Sequence, residues 1–333
     1  SARRNLPFFC CPAGLSRGGM YKQGPALIDI SKNARHGTPR QGATGERGNR
    51  TMFVFTFRKG GLRRLAAVCL CGAAIVGAAA AGIALLVFNL LFGVEKYGAK
   101  NWVELGPISF QPSELVKLCF IFAGASTLQR LMTRRNLFLY IVYSAAICGC
   151  LALINDFGTA IIFFVTFLVT AFMRSGDFAT IGLACAGTAF AGVLVLRFKP
   201  YALRRFSTWR HVWEYALTSG YSQTRAMMCI ASGGLFGLGG GRGWLKYVAA
   251  ADTDLVFAFV AEEWGLLIAL MLVAAIVLLA AFVVRSAPVE RSSFYSISAA
   301  SAVTIMLVQT LLNVFGTVDI LPLTGVTFPF VSN

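Results

Sequence analysis

From about residue 65 to residue 315 the chain returns again and again to apolar runs long enough to cross a lipid bilayer. A bilayer core needs about twenty apolar residues per helix. Such runs lie at about 65–93, 115–132, 137–155, 158–173, 178–197, 254–284 and 293–315. The polar residue Asp156 breaks what would otherwise be one long run. No water is available to the backbone inside lipid, so helices must satisfy their own amides there. The pattern therefore predicts an all-α, polytopic helical membrane protein with about seven transmembrane helices. Composition agrees. The mean hydropathy is +0.69 and 13% of residues are charged, against roughly a quarter in soluble domains.

The net charge of +16 would suit a nucleic-acid binder, but its distribution excludes that reading. Thirteen Lys or Arg fall in residues 1–64, where Asp29 and Glu46 are the only acids. Residues 1–63 are polar and Gly-rich, without helical or strand period, and read as a disordered basic segment. A tail beside anionic lipid, a gene-start or expression artefact, and a binding arm are the alternatives. Residues 64–333 form the membrane domain. Its cations orient it. Arg58, Lys59, Arg63 and Arg64 precede the first run. Arg130, Arg134 and Arg135, then Arg174, then Arg285 and Arg291 lie between later ones. Positive residues stay cytoplasmic, so the 94–114 loop, Asp156, the long loop 198–253 and residues 316–333 face outward.

The long loop is the one extended polar interval. It carries Arg204, Arg205 and Arg210, a glycine run from Gly233 to Gly243, and then Asp252 and Asp254 at the start of an apolar run. Guanidinium groups grip phosphate oxygens in pairs, which makes the three arginines candidate binders of an anionic ligand. The GGLFGLGGGRG stretch has neither the preceding strand nor the GK[ST] ending of a nucleotide loop. It suits instead a flexible loop that lets backbone approach a bulky headgroup.

Other charges stand where lipid makes them costly. Glu114 and Lys117 are spaced i, i+3 in QPSELVKL and can pair on one helix face. Pro112 suits a helix start there, with Ser113 as a possible cap. Glu262 and Glu263 lie about two turns into an apolar run and call for a polar interior or a partner cation. Gln309 and Asn313, spaced i, i+4, suit interhelical hydrogen bonds. The nine cysteines and two histidines show no ligand spacing, so no metal site is expected. Carboxylates beside an anionic ligand could hold a divalent cation, though no spacing demands one, and no other cofactor is implied.

Taken together, GAKNWVELGPISFQPSELVKL at 98–118, NDFGT at 155–159, the RRF–W–W–GY–Q series from Arg204 to Gln223, and SGGLFGLGGG at 232–241 resemble the SEDS family of cell-wall polymerases, the RodA and FtsW type. TDLVFAFVAEEWGL at 253–266, QTLLN at 309–313 and LPLTGVTFPFVS at 321–332 extend the resemblance in family order. It implies a ten-helix bundle, of which this chain holds the third to the ninth helix and is truncated at both ends. It implies a peptidoglycan glycosyltransferase of the bacterial cytoplasmic membrane that polymerises lipid II, works with a class B penicillin-binding protein, and contacts membrane lipids rather than nucleic acid. The family's catalytic aspartate falls on Asp254, as general base. Arg204, Arg205 and Arg210 would face the pyrophosphate. The intramembrane ion pair falls on Glu114 and Lys117. Asp156, Asp252, Glu262, Glu263, Gln309 and Asn313 are supporting polar residues. The sequence departs from the family at Ala249–Ala250 and Asp252, where Pro-Glu and a histidine are usual, and at Asn101. A lipid II flippase, or a non-catalytic scaffold for a penicillin-binding protein, is the competing reading.

Overall fold

The computed structural model describes residues 59–96, 99–105, 108–128, 134–176, 178–198, 200–287 and 292–332. The basic segment therefore lies outside the described residues up to position 58, as do Arg130 and Arg291. The chain runs as α1 (Lys59–Phe92), three short strands, then α2 (Pro112–Leu128), α3 (Arg134–Ile154), α4 (Phe157–Ser175) and α5 (Phe178–Phe198). The long polar interval follows with α6 (Pro200–Thr208) and α7 (Tyr221–Gly233). Last come α8 (Val256–Glu263), α9 (Leu266–Ser286) and α10 (Ser293–Thr317).

Five stretches are long and apolar enough to cross a membrane among the described residues: Gly72–Phe92, Asn136–Ile154, Phe157–Ser175, Leu266–Ser286 and Ser293–Thr317. The chain is a multi-pass helical membrane protein. The two other expected spans correspond to α2, which has 17 residues, and α5, which has 21. At about 1.5 Å per residue, α2 reaches about 26 Å, short of a full apolar core.

The first four helices share one core. Leu86 of α1, Val116 and Phe120 of α2, Tyr140, Ile147 and Leu151 of α3, and Phe163 and Phe167 of α4 are buried together. Lipid tails are as apolar as these side chains, so close packing and polar contacts must hold helices together. Both are present. Phe120 meets Tyr140, Tyr143 and Phe163 at ring-centroid distances of 5.6, 5.9 and 5.0 Å. The Tyr140 hydroxyl shares a 3.0 Å hydrogen bond with Thr170 Oγ1. Thr170 in turn donates to the Thr166 carbonyl at 2.9 Å, so the polar line stays satisfied inside the bundle.

Three features depart from the sequence reading. The 94–114 segment, expected as a loop, holds an antiparallel sheet of β1 (Val94–Lys96), β2 (Ala99–Leu105) and β3 (Ile108–Phe110) in that order. Val103 pairs with Phe110 and is buried, which seats the sheet on the bundle. Ser113 is the second residue of α2 and not its cap, and its buried Oγ has no partner among the described residues. The run 254–284 is two helices. Gly265 separates α8 from α9 with φ +91°, a conformation open to glycine and strained for other residues. A Cβ there would meet the Leu235 carbonyl at 2.3 Å. Helix α10 packs against α2, α4, α8 and α9, and so ties the earlier helices to the later ones.

Candidate active site

After α10 the chain turns back as an irregular strap, residues 318–332, that crosses the end of the bundle near Asp254. Its backbone is held by side chains from several elements. Just before the strap, Gln223 of α7 donates to the Gly316 carbonyl in the last turn of α10 at 2.7 Å. Trp209 Nε1 donates to Ile320 O at 3.1 Å. Arg205 Nη1 donates to Leu323 O at 2.8 Å, and Asn313 Nδ2 to Val326 O at 2.8 Å. Ser332 Oγ donates to Thr253 O at 2.8 Å.

Asp254 lies under this strap. The preceding turn is closed by Asp254 N on the Ala250 carbonyl at 2.9 Å, with Ala250 at φ +58°. Asn313 Nδ2 also donates to Asp254 O at 2.9 Å, so one buried amide fixes both the aspartate backbone and the strap. Gly325 sits at the crossing with φ +70°, and a Cβ on it would stand 3.0 Å from Asp254 Oδ2 and 3.8 Å from Arg205 Nη1. The carboxylate and the guanidinium thus both approach the place that a side chain on residue 325 would take.

The electrostatics follow from that placement. Burial pushes the Asp254 carboxyl up from 3.8 to about 6; the Arg205 charge and a hydrogen bond with Thr253 hold it down, while Asp156 and Asp252 add to the rise. Asp156 is the N-cap of α4, and its side chain accepts from Thr159 N at 3.1 Å. Its Oδ2 is buried without a hydrogen-bond partner among the described residues. Burial raises the Asp156 carboxyl too, opposed by Thr159 and by the charges of Lys117 and Arg205.

Lys117 and Glu114 form a 2.7 Å ion pair, with the lysine side chain 7% and the glutamate side chain 47% exposed. Thr327 of the strap donates to Glu114 Oε1 at 3.4 Å, and Gln309 Nε2 reaches Thr327 at the same distance. The strap therefore joins this pair to the Asp254 end of the site through Asn313 and Gln309 on one face of α10.

The three arginines separate. Successive residues of a helix point about 100° apart, and only Arg205 turns toward Asp254. Arg204 is exposed. Arg210 is exposed at φ +63°, lies 5.3 Å over the Trp209 ring, and its backbone N–H meets Asp319 at 3.2 Å. Asp252 is exposed, two residues from Asp254.

Glu262 and Glu263 hold backbone, not a cation. Glu262 accepts from Trp244 N at 2.8 Å and Leu245 N at 3.0 Å, and Glu263 accepts from Gly241 N at 3.0 Å. Both are buried. The glycine run is pinned against them. A Cβ at Gly233 would meet Ala261 O at 2.2 Å, and one at Gly243 would meet Glu262 Oε2 at 2.7 Å. These glycines permit close packing of the loop on α8, so the expected flexible headgroup cradle is a fixed piece of scaffold. Among the described residues no group of three or more His, Cys, Asp or Glu is placed to hold a metal ion.

Sequence reasoning missed Gly325, Thr327 and the carbonyls of Leu323 and Val326 as parts of this site. The signal was the glycine among small and β-branched residues in LPLTGVTFPF, where a positive φ is the simplest use of glycine.

The chain matches known proteins along most of its length. A model of the FtsW/RodA/SpoVE cell cycle proteins matches residues 70–333. The chain is 31% identical over 261 residues to a protein of Coxiella burnetii named probable peptidoglycan glycosyltransferase FtsW, covering 74% of this chain and 69% of that one. It is 33% identical over 268 residues to the protein of that name from Dichelobacter nodosus, covering 78% and 67%. Stage V sporulation protein E of Bacillus subtilis is 29% identical over 263 residues, covering 74% and 70%. Among solved structures, a chain from a peptidoglycan synthase complex superposes with a TM-score of 0.63 at 25% identity over 79% of this chain and 75% of that one. The rod-shape-determining protein RodA of Thermus thermophilus does so at 0.52 and 27%, over 79% and 72%. The chain belongs to the FtsW/RodA/SpoVE family, the SEDS proteins whose motifs run through its sequence.

Proposed function

We propose that this chain carries the catalytic centre of a peptidoglycan glycosyltransferase of the bacterial cytoplasmic membrane, polymerising lipid II and releasing undecaprenyl pyrophosphate. The observation that carries the reading is the approach of Asp254 Oδ2 and Arg205 Nη1 to within 3.0 and 3.8 Å of the place a Cβ on Gly325 would take, with the Asp254 carboxyl lifted to about 6. A carboxylate with that affinity is ionised at neutral pH and still basic enough to take a proton in the transition state. In the reaction, the acceptor sugar hydroxyl attacks the anomeric carbon of the lipid-linked chain. Asp254 removes the hydroxyl proton as the new C–O bond forms. The bond from the anomeric carbon to pyrophosphate breaks, and its electron pair leaves with the phosphate oxygen. Arg205 offsets the negative charge that builds there. The Asp156 charge adds to the Asp254 rise, and Lys117 and Arg205 in turn oppose the rise at Asp156. Such a base contributes typically about 10²–10⁴ in rate.

Two relatives named probable peptidoglycan glycosyltransferase FtsW support the reaction class. The structural neighbour from a peptidoglycan synthase complex that coordinates polymerisation and crosslinking supports a penicillin-binding protein as partner. The test is the glycan made from lipid II by the reconstituted protein with a class B penicillin-binding protein. Arg205→Lys should retain part of the wild-type rate and Arg205→Ala should lose nearly all of it. Equal rates for Arg205→Ala and wild type would sink the arginine's role.

A further inference from the structure

The loop between α7 and α8 exposes aromatic and aliphatic side chains that the glycosyltransferase reading does not use. Phe236 is 83% exposed, Tyr247 75% and Trp244 73%, with Leu235 at 56%. Trp244 and Tyr247 stand with ring centroids 6.0 Å apart. Lys246 Nζ lies 5.3 Å over the Tyr247 ring, and Arg242 is exposed beside them. The nearby acids Glu262 and Glu263 are buried under the loop.

The depth of this loop is fixed by its backbone. Leu266 N, the first amide of α9, donates to Gly234 O at 2.9 Å, and Leu267 N donates to Leu235 O at 3.4 Å. Helix α9 has 21 residues, about 32 Å at about 1.5 Å per residue, and an apolar core is about 30 Å thick. The span has no length to spare, so Leu266 sits at the boundary of the hydrocarbon and the loop sits with it. Trp264 precedes the span and its ring lies 3.7 Å from the place a Cβ on Gly240 would take. The exposed apolar surface continues from Trp264 onto Leu267 and Met271 of α9. Trp and Tyr concentrate at this level of a bilayer, and Lys or Arg beside them favour anionic headgroups.

We propose that the loop Gly234–Tyr247 rests in the interfacial layer of the leaflet that α9 enters, with Trp244, Tyr247 and Phe236 among the headgroups and Arg242 and Lys246 on anionic phospholipid phosphates. It is a lipid-contacting footing that holds α8 at a set depth through Glu262 and Glu263. The occupant is the bilayer the protein itself spans, because the hydrogen bonds to Gly234 and Leu235 place the loop at the end of that span.

The test reads tryptophan emission of the full chain in phosphatidylethanolamine–phosphatidylglycerol vesicles whose acyl chains carry bromine at a shallow or a deep position. The difference between wild type and Trp244→Phe isolates Trp244, and Trp213→Phe serves as a control. Shallow bromine should quench the Trp244 component about twofold more than deep bromine, while aqueous iodide should quench it little. Replacing Arg242 and Lys246 together by Gln should weaken the shallow quenching in anionic vesicles and leave it unaltered in zwitterionic ones. A Trp244 component open to iodide and indifferent to both lipids overturns the proposal and leaves the face to a soluble domain or a second copy. Stronger quenching by deep bromine overturns it too. Neither readout involves lipid II or turnover, so their outcome is separate from that of the glycosyltransferase reading.

Discussion

Replacing Gly325 by alanine perturbs the site at the point that Asp254 and Arg205 both approach. The backbone there has φ +70°, and the left-handed region costs an L-residue roughly 1–2 kcal/mol. The added methyl would stand 3.0 Å from Asp254 Oδ2, closer than ordinary packing permits. The carboxylate must retreat by a few tenths of an ångström. A misplacement of about 1 Å can cost about 10²-fold in rate, so a third to a half of that distance predicts about a tenfold loss, or about 1.4 kcal/mol of barrier. The methyl also removes water from Asp254, which raises its proton affinity and moves the acidic limb of the pH–rate profile upward. The assay is lipid II polymerisation across pH, with thermal unfolding followed in parallel. Unfolding should show the backbone cost, and the limb should move only if the methyl acts on Asp254. A variant of reduced stability with wild-type rate and an unmoved limb would refute the placement of Asp254 beneath Gly325.

The wild-type rate should fall below about pH 6, where Asp254 takes up a proton, and Asp252→Asn should move that limb to lower pH by removing a like charge. The same affinity has a stability consequence. A carboxyl whose affinity is higher in the folded state favours folding when protonated, and that contribution, at most about 3 kcal/mol for a rise from 3.8 to about 6, is lost as pH climbs through about 6. Asp254→Asn should abolish this dependence in unfolding measured against pH. Glu262→Ala leaves the buried Leu245 amide without its acceptor, at about 1–3 kcal/mol, and the part-buried Trp244 amide without its own at less; an unfolding temperature equal to wild type would contradict that role. For the ion pair, Glu114→Gln should destabilise more than Lys117→Met. It strands an ammonium that is 7% exposed, whereas methionine fills the lysine's place without charge; the reverse order in thermal unfolding would overturn this.

The helices were legible because lipid demands long apolar runs, and so was the Glu114–Lys117 pair, because i, i+3 spacing fixes a shared face. Asp254 as a candidate base rests on the resemblance alone, since an aspartate before an apolar helix is otherwise a common cap. What the sequence hid has physical reasons. Arg204 and Arg205 are adjacent and chemically identical, and only the rotation of α6 against the strap decides that Arg205 turns inward. Glu262 and Glu263 looked like carboxylates in need of a cation, yet their partners are backbone amides about twenty residues upstream, which carry no side-chain signature. The glycines of 233–243 suited a mobile cradle on paper. Their lack of a Cβ is used instead for contacts with the backbone of α8, and such proximity exists only after the chain has folded. The small sheet at 94–110 is set by pairing between segments whose apolar content resembles that of a loop.

The measurement that bears most directly on the central claim is the rate of glycan synthesis from lipid II by Asp254→Asn beside Asp252→Asn, each reconstituted with the same class B penicillin-binding protein. Asn keeps the shape of the carboxylate and its fit under Gly325 but cannot accept the proton. The account predicts that Asp254→Asn loses about 10²–10⁴ in rate at wild-type unfolding temperature or above, while Asp252→Asn retains most of it. Glycan made at the wild-type rate by Asp254→Asn, or lost equally in Asp252→Asn, would contradict it.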